Sequence, residues 1–414
     1  MFAELSLSAV PPASGDLNLI FWIASSVFFL ALAFVSRDQV LNLAKLAIGA
    51  QILSILYMCL TGGAPSLTHN NGATVINQAD VYRFSENKPN IVVLVLDATT
   101  SEVIDDLVVS DPDALSLLSG FTLYDDAVSM YNSTQLAIPG MISGLRYEGD
   151  ETLLAYYNKA FKTQASALEA ARSSGFAISM SSFMGFYVIG DDKSGIVRQV
   201  YDAFDRGVLS EPVVSSNLIY VALARMLPTY FRNSYLEMLI ASGRMRSIQR
   251  DNNSAFADNF RNNLTTDSTT PTFHFYHIAG SHRPYLRDGN GHTDIVEHTY
   301  KNYREHAKSA LSALAAMVQS LRSEGVYDNT AIIVAGDHGV PDSAMDAVPA
   351  AHLMPVLMVK PQSATEPYKT SSAPVSLADV RPLIGLGLGR RRHIGCGPGS
   401  RIQGQWTSGS GNLR

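Results

Sequence analysis

The sequence predicts an α/β protein with a mostly parallel sheet flanked by helices and preceded by two N-terminal transmembrane helices. Short β-branched runs alternate with longer helical segments, which is typical of a parallel sheet. Residues 90–96 (NIVVLVL) are apolar after the first position, as expected for a strand buried on both faces. Residues 330–335 (TAIIVA) repeat this pattern, so we expect another buried strand there.

The N-terminal region is the most apolar part of the 414-residue chain, of which 46% is hydrophobic and 16% charged. Residues 17–35 carry no charge, and residues 40–60 carry a single charge, that of Lys45, with Gln51 as a further polar interruption. Each run is long enough to cross a bilayer, which takes about 20 apolar residues. We expect residues 1–61 to be a membrane anchor with two transmembrane helices; one span plus a buried or interfacial helix is the alternative.

Charge predicts the orientation and excludes some partners. Arg37 and Lys45 lie in or near the short connection between the apolar runs, and positive charge favours the cytoplasmic side. The rest of the chain would then be extracytoplasmic, on the periplasmic side of the cell (inner) membrane. A net charge of −6 argues against nucleic acid as a partner. The two cysteines, Cys59 and Cys396, cannot form a disulfide framework or a zinc finger, so any metal would need oxygen and nitrogen ligands.

The remaining elements follow a polar, glycine-rich linker at residues 62–88. Helices are predicted at residues 101–107, from 111 onward, at 150–174 and at 297–324. Further strands are predicted at residues 176–180, 271–278 and 353–359. Residues 385–414 are rich in glycine and include Arg390, Arg391 and Arg392, so we expect a loose, solvated tail; a basic patch for anionic lipid is the alternative.

Polar residues follow three of the predicted strands, where ligands of open α/β sheets bind. Asp97 follows the first strand, and Asp337 and His338 follow the strand at 330–335. His277 lies near the end of the strand at 271–278, and His282 comes after it, past a glycine turn. Carboxylate and imidazole ligands together suit zinc or manganese. Each residue has a plainer interpretation: a helix cap for Asp97, a turn for Asp337, a surface ring for His338 and a loop for His282. For His277 the alternating pattern of its neighbours favours a structural role.

A hydroxyl-rich segment, MYNSTQLAIPGMISG (residues 130–144), could supply a nucleophile. A helix starting near Ile138 and Pro139 would direct its amide groups at an anion attacked by Thr134. A nearby metal would lower the pKa of this hydroxyl. Alternatively, Asn132 or Ser133 is only a helix cap and Thr134 is inert.

Five blocks between about Pro89 and Leu383 resemble the sulfatase-like branch of the alkaline phosphatase superfamily. They are KPNIVVLVLDATTSEVI, SGFTLYDDAVSMYNSTQLAIPGMISGLRY, FYHIAGSHRPY, DNTAIIVAGDHG and HLMPVLMVKP. The resemblance implies an alkaline-phosphatase-like catalytic domain at residues 89–384. It is closest to membrane phosphoethanolamine and phosphoglycerol transferases, which have a threonine nucleophile.

The resemblance also implies the roles of individual residues. Thr134 would be the nucleophile and, with Asp97, Asp337 and His338, a ligand of a divalent metal, with Zn²⁺ favoured over Mn²⁺, Mg²⁺ or Ca²⁺. His282 matches a histidine that contacts the transferring group or a second metal. His352 is a candidate for another second-site histidine.

Two departures from the family pattern bear on the activity. The segment after Thr134 lacks the Cys/Ser-x-Pro-x-Arg arrangement of true sulfatases, and Asp97 stands where the transferases usually have glutamate. We expect a membrane-anchored phospho-group transferase that uses a phospholipid donor and an envelope glycan or lipid acceptor through a phosphothreonine intermediate. A sulfatase-like ester hydrolase and a non-catalytic envelope-binding protein are the alternatives. The sequence leaves the oligomeric state open.

Overall fold

A computed structural model of the chain describes residues 78–183, 252–283, 285–289, 292–295, 299–340 and 354–388, the backbone of 196–200, and scattered residues between 20 and 49 and between 219 and 242. Its strands are β1 (Asn90–Leu96), β2 (Thr122–Tyr124), β3 (Ala127–Val128), β4 (Ala177–Ser182), β5 (Ile196–Val200), β6 (Thr272–Ile278), β7 (Leu286–Gly289), β8 (His292–Ile295), β9 (Thr330–Ala335), β10 (Leu357–Lys360), β11 (Lys369–Ser371) and β12 (Val375–Ser376). Its helices are α1 (Gln78–Val81), α2 (Ser101–Val109), α3 (Pro112–Leu117), α4 (Thr134–Ser143), α5 (Leu153–Lys162), α6 (Ala167–Ser173), α7 (Asn252–Asn263), α8 (Tyr300–Ser323) and α9 (Val380–Gly387), with a 3₁₀ turn at Leu377–Asp379.

The main sheet has eight strands in the order β11-β2-β10-β9-β1-β6-β4-β5. Strands β9, β1, β6, β4 and β5 run parallel to one another, whereas β10 is antiparallel to β9. All seven residues of the central strand β1 are buried, which confirms the predicted α/β fold with a mostly parallel sheet.

Helices cover both faces of this sheet because alternate side chains of a strand point to opposite sides. Val92, Leu94 and Leu96 pack in one hydrophobic cluster with residues of α2, α7 and α8. Ile91, Val93 and Val95 pack in a second cluster with residues of α4, α6 and α9. By this alternation Asp97, the next residue after β1, faces the side of α4.

Several boundaries differ from the predictions. The helix predicted at 150–174 is two helices, because Ser166 caps a new one by accepting a hydrogen bond from Leu168 N. Helix α4 begins at Thr134 rather than near Ile138, and Pro139 lies inside it. The end of the predicted linker packs against the domain, with Tyr82 and Phe84 fully buried.

By its internal contacts the chain divides into two compact units. One comprises Met1–Ala73 with Arg206–Ile248, and the other comprises Thr74–Asp205 with Gln249–Arg414. The two predicted spans lie largely outside the described residues, as does the tail beyond residue 388. Within the described part of the chain, no helix is both long and apolar enough to cross a bilayer.

Candidate active site

Two aspartates meet because β1 and β9 are parallel neighbours whose carboxyl ends lie at the same edge of the sheet. Asp97 follows β1 and Asp337 follows β9, and both are fully buried. Asp337 Oδ1 accepts hydrogen bonds from the backbone N–H groups of Ala98 (3.0 Å) and His338 (2.9 Å). The φ angle of Ala98, 53°, is in the left-handed region that a non-glycine residue seldom adopts. The hydrogen bond from Ala98 N–H to Asp337 Oδ1 joins the turn after β1 to the turn after β9 and holds the two strand ends together.

Thr134 is the first residue of α4, and its side chain reaches these strand ends. It is buried, with its Oγ1 atom 3.1 Å from His338 Nε2 and 3.5 Å from Asp97 Oδ2. The preceding residue, Ser133, is the N-cap by backbone position, but its side chain makes no capping hydrogen bond. The threonine hydroxyl thus belongs to the first residue of a helix, and backbone N–H groups at a helix N-terminus favour negative charge.

The His338 ring has a defined orientation. Its Nδ1 atom lies 2.6 Å from the carbonyl oxygen of Gly339, so Nδ1 carries the proton that it donates to this acceptor. The other nitrogen, Nε2, lies 3.3 Å from Asp337 Oδ2 and 3.8 Å from Asp97 Oδ1. Four side chains thus bring a nitrogen or oxygen atom to one point.

These residues fit a divalent cation. Among the described residues, Asp97 Oδ1 and Asp337 Oδ2 are buried oxygens that accept no hydrogen bond, which is costly without a positive partner. Ligands about 2.0 Å from a tetrahedral zinc ion are about 3.3 Å apart, close to the 3.1 and 3.3 Å that separate His338 Nε2 from Thr134 Oγ1 and Asp337 Oδ2. Asp97, Thr134, Asp337 and His338 could therefore hold such an ion.

The pKa shifts of the site residues agree with this assignment. Burial alone would raise the pKa of Asp97, but the charges of His282, His277 and His338 and the hydrogen bond from His277 lower it to about 2. Burial alone would lower the pKa of His338, but Asp337 and Asp97 outweigh it and raise that pKa. The carboxylates thus favour a positive charge at His338 Nε2, where a metal ion would replace the proton.

His277, for which the sequence favours a structural role, lies in the site. It is fully buried, with Nε2 3.1 Å from Asp97 Oδ2. One ligand atom from each of Asp97, His277 and Asp337 lies within 4.8 Å of the others. The sequence does place His277 near the end of a predicted strand, which could have marked it as a site residue. Only the strand order, with β6 next to β1, shows that it is a neighbour of Asp97.

His282 lies in the loop after β6, half-buried. The loop is attached to Asp97 because the N–H of Ser281 donates to Asp97 O at 2.8 Å. His282 Nδ1 is 2.5 Å from Arg283 O, so Nδ1 carries a proton and Nε2 is left for proton exchange. The other candidate histidine, His352, lies outside the described residues.

Comparisons with known proteins found a matching family and solved structures of low sequence identity. A sequence model of the family described as Sulfatase matches residues 89–384, whereas no curated protein matches the chain significantly.

A protein in the alkaline phosphatase superfamily from Vibrio parahaemolyticus is 13% identical, with 74% of this chain and 67% of that chain covered and a TM-score of 0.48. The lipoteichoic acid synthase LtaP from Listeria monocytogenes is 12% identical, with 74% of each chain covered and a TM-score of 0.46. The C-terminal periplasmic domain of the phosphoethanolamine transferase EptC from Campylobacter jejuni is 11% identical, with 73% of this chain and 89% of that chain covered and a TM-score of 0.43.

Proposed function

The chain belongs to the sulfatase family, and we propose that it is a membrane-anchored, metal-dependent transferase of phospho-groups. The donor would be a phospholipid that carries phosphoethanolamine or phosphoglycerol, and the acceptor an envelope glycan or lipid. The observation that carries this proposal is the position of Thr134 Oγ1, 3.1 Å from His338 Nε2 and at the N-terminus of α4. A hydroxyl so placed suits nucleophilic attack on a phosphorus atom.

The absence of a suitable cysteine argues against ordinary sulfatase chemistry. The two cysteines, Cys59 and Cys396, both lie outside the matched region 89–384, and the segment that starts at Thr134 lacks the Cys/Ser-x-Pro-x-Arg arrangement from which formylglycine forms. Thr134 occupies the position of the nucleophile instead. A threonine alkoxide can attack a phosphodiester directly, which favours phosphoryl transfer.

The reaction would occur in two displacements. A divalent cation held by Asp97, Thr134, Asp337 and His338 would lower the pKa of the threonine hydroxyl and neutralise charge on the phosphoryl oxygens. Thr134 would react as the alkoxide, its hydroxyl proton having passed to solvent when the cation binds. Its Oγ1 would bond to phosphorus while the bond to the leaving alcohol oxygen breaks, and His282 would give that oxygen a proton. The acceptor hydroxyl then returns a proton to His282, its oxygen bonds to phosphorus, and the bond to Thr134 Oγ1 breaks. With water as the acceptor, the same steps give hydrolysis.

Exposed apolar side chains support the membrane attachment. In the unit that contains Met1–Ala73, six large apolar residues among those described that the sequence assigns to spans expose 56–91% of their surface: Ile20, Ile23, Val27, Phe28, Phe34 and Leu46. Such a surface is unfavourable in water and suits lipid. We place the catalytic domain on the periplasmic side of the cell membrane, as the predicted orientation requires.

Replacement of Thr134 tests the nucleophile. We expect Thr134→Ala to lower turnover of a phosphodiester more than about a thousandfold, because the variant lacks the attacking oxygen. Metal content, measured by mass spectrometry of the purified chain, should persist because three ligands remain. Ser133→Ala is the matched control, since that neighbouring hydroxyl makes no capping bond, and it should keep wild-type turnover. Wild-type activity in Thr134→Ala would contradict the assignment.

Two further measurements separate the alternatives. Parallel assays on an aryl sulfate and a phosphodiester distinguish a sulfatase-like hydrolase from the proposed transferase. A wild-type chain that binds no metal and turns over neither substrate would instead indicate a non-catalytic envelope-binding protein. After incubation with membrane lipids, the mass added to Thr134 would identify the transferred group.

A further inference from the structure

We propose that His277 is a positioning residue that holds Asp97 in the orientation needed for the cation and is itself held by Ser182. The proposal rests on the metal-dependent function proposed above. It assigns a role to a buried histidine that the two displacement steps do not use.

The strand order places His277 between its two partners. Strand β6 lies between β1 and β4, and His277 pairs in register with Val95 on one side and Ser182 on the other. Its ring spans from Ser182 Oγ, 3.0 Å from Nδ1, to Asp97 Oδ2, 3.1 Å from Nε2. The ring is fully buried and also packs edge-on against Phe183, at 4.8 Å between ring centroids. These contacts fix its orientation.

The chemistry of the partners assigns the protons on the ring. An ionised carboxylate only accepts hydrogen bonds, so Nε2 carries the proton donated to Asp97. In the neutral ring Nδ1 is then an acceptor, and the Ser182 hydroxyl donates to it. A hydrogen bond to an ionised carboxylate is stronger than one between two neutral groups. The bond from His277 Nε2 engages Oδ2 of Asp97. Asp97 Oδ1, which accepts no hydrogen bond from the described residues, is thereby left facing the proposed cation.

An equivalent pair on the same two strands provides an internal comparison. Ser179 and His274 pair in register three residues earlier, and Ser179 Oγ lies 2.6 Å from His274 Nδ1. Because side chains alternate along a strand, His274 points to the opposite face, where its Nε2 is 3.0 Å from Thr272 Oγ1. The two pairs share chemistry and burial, but only the Ser182–His277 pair reaches Asp97.

The experiment measures Zn²⁺ affinity of the full chain in detergent by competition with a chromogenic chelator. We expect His277→Leu to bind Zn²⁺ about 10- to 100-fold more weakly, as is typical when the partner of a metal ligand is lost. His277→Gln should recover part of the affinity because its amide can donate to Asp97. Ser182→Ala removes only the hydrogen bond between Ser182 Oγ and His277 Nδ1, so it should weaken Zn²⁺ binding less, by severalfold. Cobalt spectra of wild type and His277→Gln should have the same ligand-field bands.

His274→Gln and Ser179→Ala are the matched controls. They should lower thermal stability but leave Zn²⁺ affinity within about twofold, since they act on the other face of the sheet. Unchanged affinity in both His277→Leu and Ser182→Ala would overturn the proposal. So would altered cobalt bands in His277→Gln, which would make His277 a direct ligand. A wild-type chain that binds no Zn²⁺ would instead refute the proposed metal-dependent function, so the two failures differ.

Discussion

Lys360 shows how a single buried charge affects the stability of this fold. It ends β10 and has no exposed surface. Its ammonium group donates to the carbonyl oxygens of Tyr327 (2.5 Å) and Thr330 (2.9 Å) and lies 3.9 Å from the centroid of the Tyr327 ring. Burial nevertheless dominates and lowers the pKa of Lys360 to about 7. Folding therefore expels a proton from this side chain at mildly alkaline pH.

This pKa predicts a pH dependence with a definite sign. Between about pH 7 and 10.5, the ordinary pKa of a lysine, the unfolded chain binds a proton at Lys360 that the folded chain does not, so stability rises with pH. Lys360→Met should remove up to about 1.4 kcal/mol per pH unit from this slope. The measurement is urea unfolding at pH 7, 8 and 9. Lys308→Met, a change at an exposed helical lysine, should keep the wild-type slope.

At the scale of the element, the loop after β6 depends on a close approach that only glycine allows. Gly280 has a φ of 55°, and an added Cβ would lie 2.5 Å from the carbonyl oxygen of Asp97. The side chain of Asn253 holds Gly280 from the other side, accepting from its N–H at 2.9 Å and donating to its carbonyl at 2.7 Å. The loop that carries His282 therefore cannot move away to accommodate a side chain without breaking these bonds.

We expect Gly280→Ala to displace the loop and lower kcat/KM on a phosphodiester by about a hundredfold, because small misplacements of catalytic groups are costly. Gly175→Ala is the control: its φ is 81°, but an added Cβ there would meet nothing within 4 Å. That variant should lose only about 1–2 kcal/mol of stability and keep its activity. Wild-type kcat/KM in Gly280→Ala would show that the close packing on Asp97 is dispensable.

The elements also show what the sequence could and could not predict. Strand-end residues Asp97, Asp337 and His338 could be placed together because buried β-branched runs identify parallel strands, whose carboxyl ends share an edge. The sequence predicts the start of α4 too far along the chain, because proline is common in the first turn of a helix. In the structure Pro139 lies in the helix interior instead. To predict that His277 belongs to the site, the strand order β9-β1-β6 must be known. This order depends on tertiary strand pairing, which no local sequence pattern contains.

At the scale of the whole molecule, a segment within the catalytic part of the sequence groups with the N-terminal region. Residues 206–248 belong to the same compact unit as Met1–Ala73. Between residues 212 and 243 the charged residues are Arg225, Arg232 and Glu237, and Arg244, Arg246 and Arg250 follow. Apolar segments flanked by arginine are typical of helices that lie in the membrane interface. The described residues of this segment include four exposed apolar side chains: Ile219 (57%), Leu223 (46%), Phe231 (50%) and Met238 (52%).

If the proposed membrane attachment holds, these side chains should contact lipid. We would label Phe231→Cys with an environment-sensitive dye in full chains reconstituted in nanodiscs, with Cys59 and Cys396 replaced by serine. Doxyl-labelled lipids should quench this dye and aqueous iodide should not, because Phe231 belongs to the anchor's unit. The control, Leu154→Cys, is 61% exposed in the other unit and should show the reverse pattern. Iodide quenching at position 231 without any lipid effect would place this apolar surface in water and leave attachment to residues 1–61 alone.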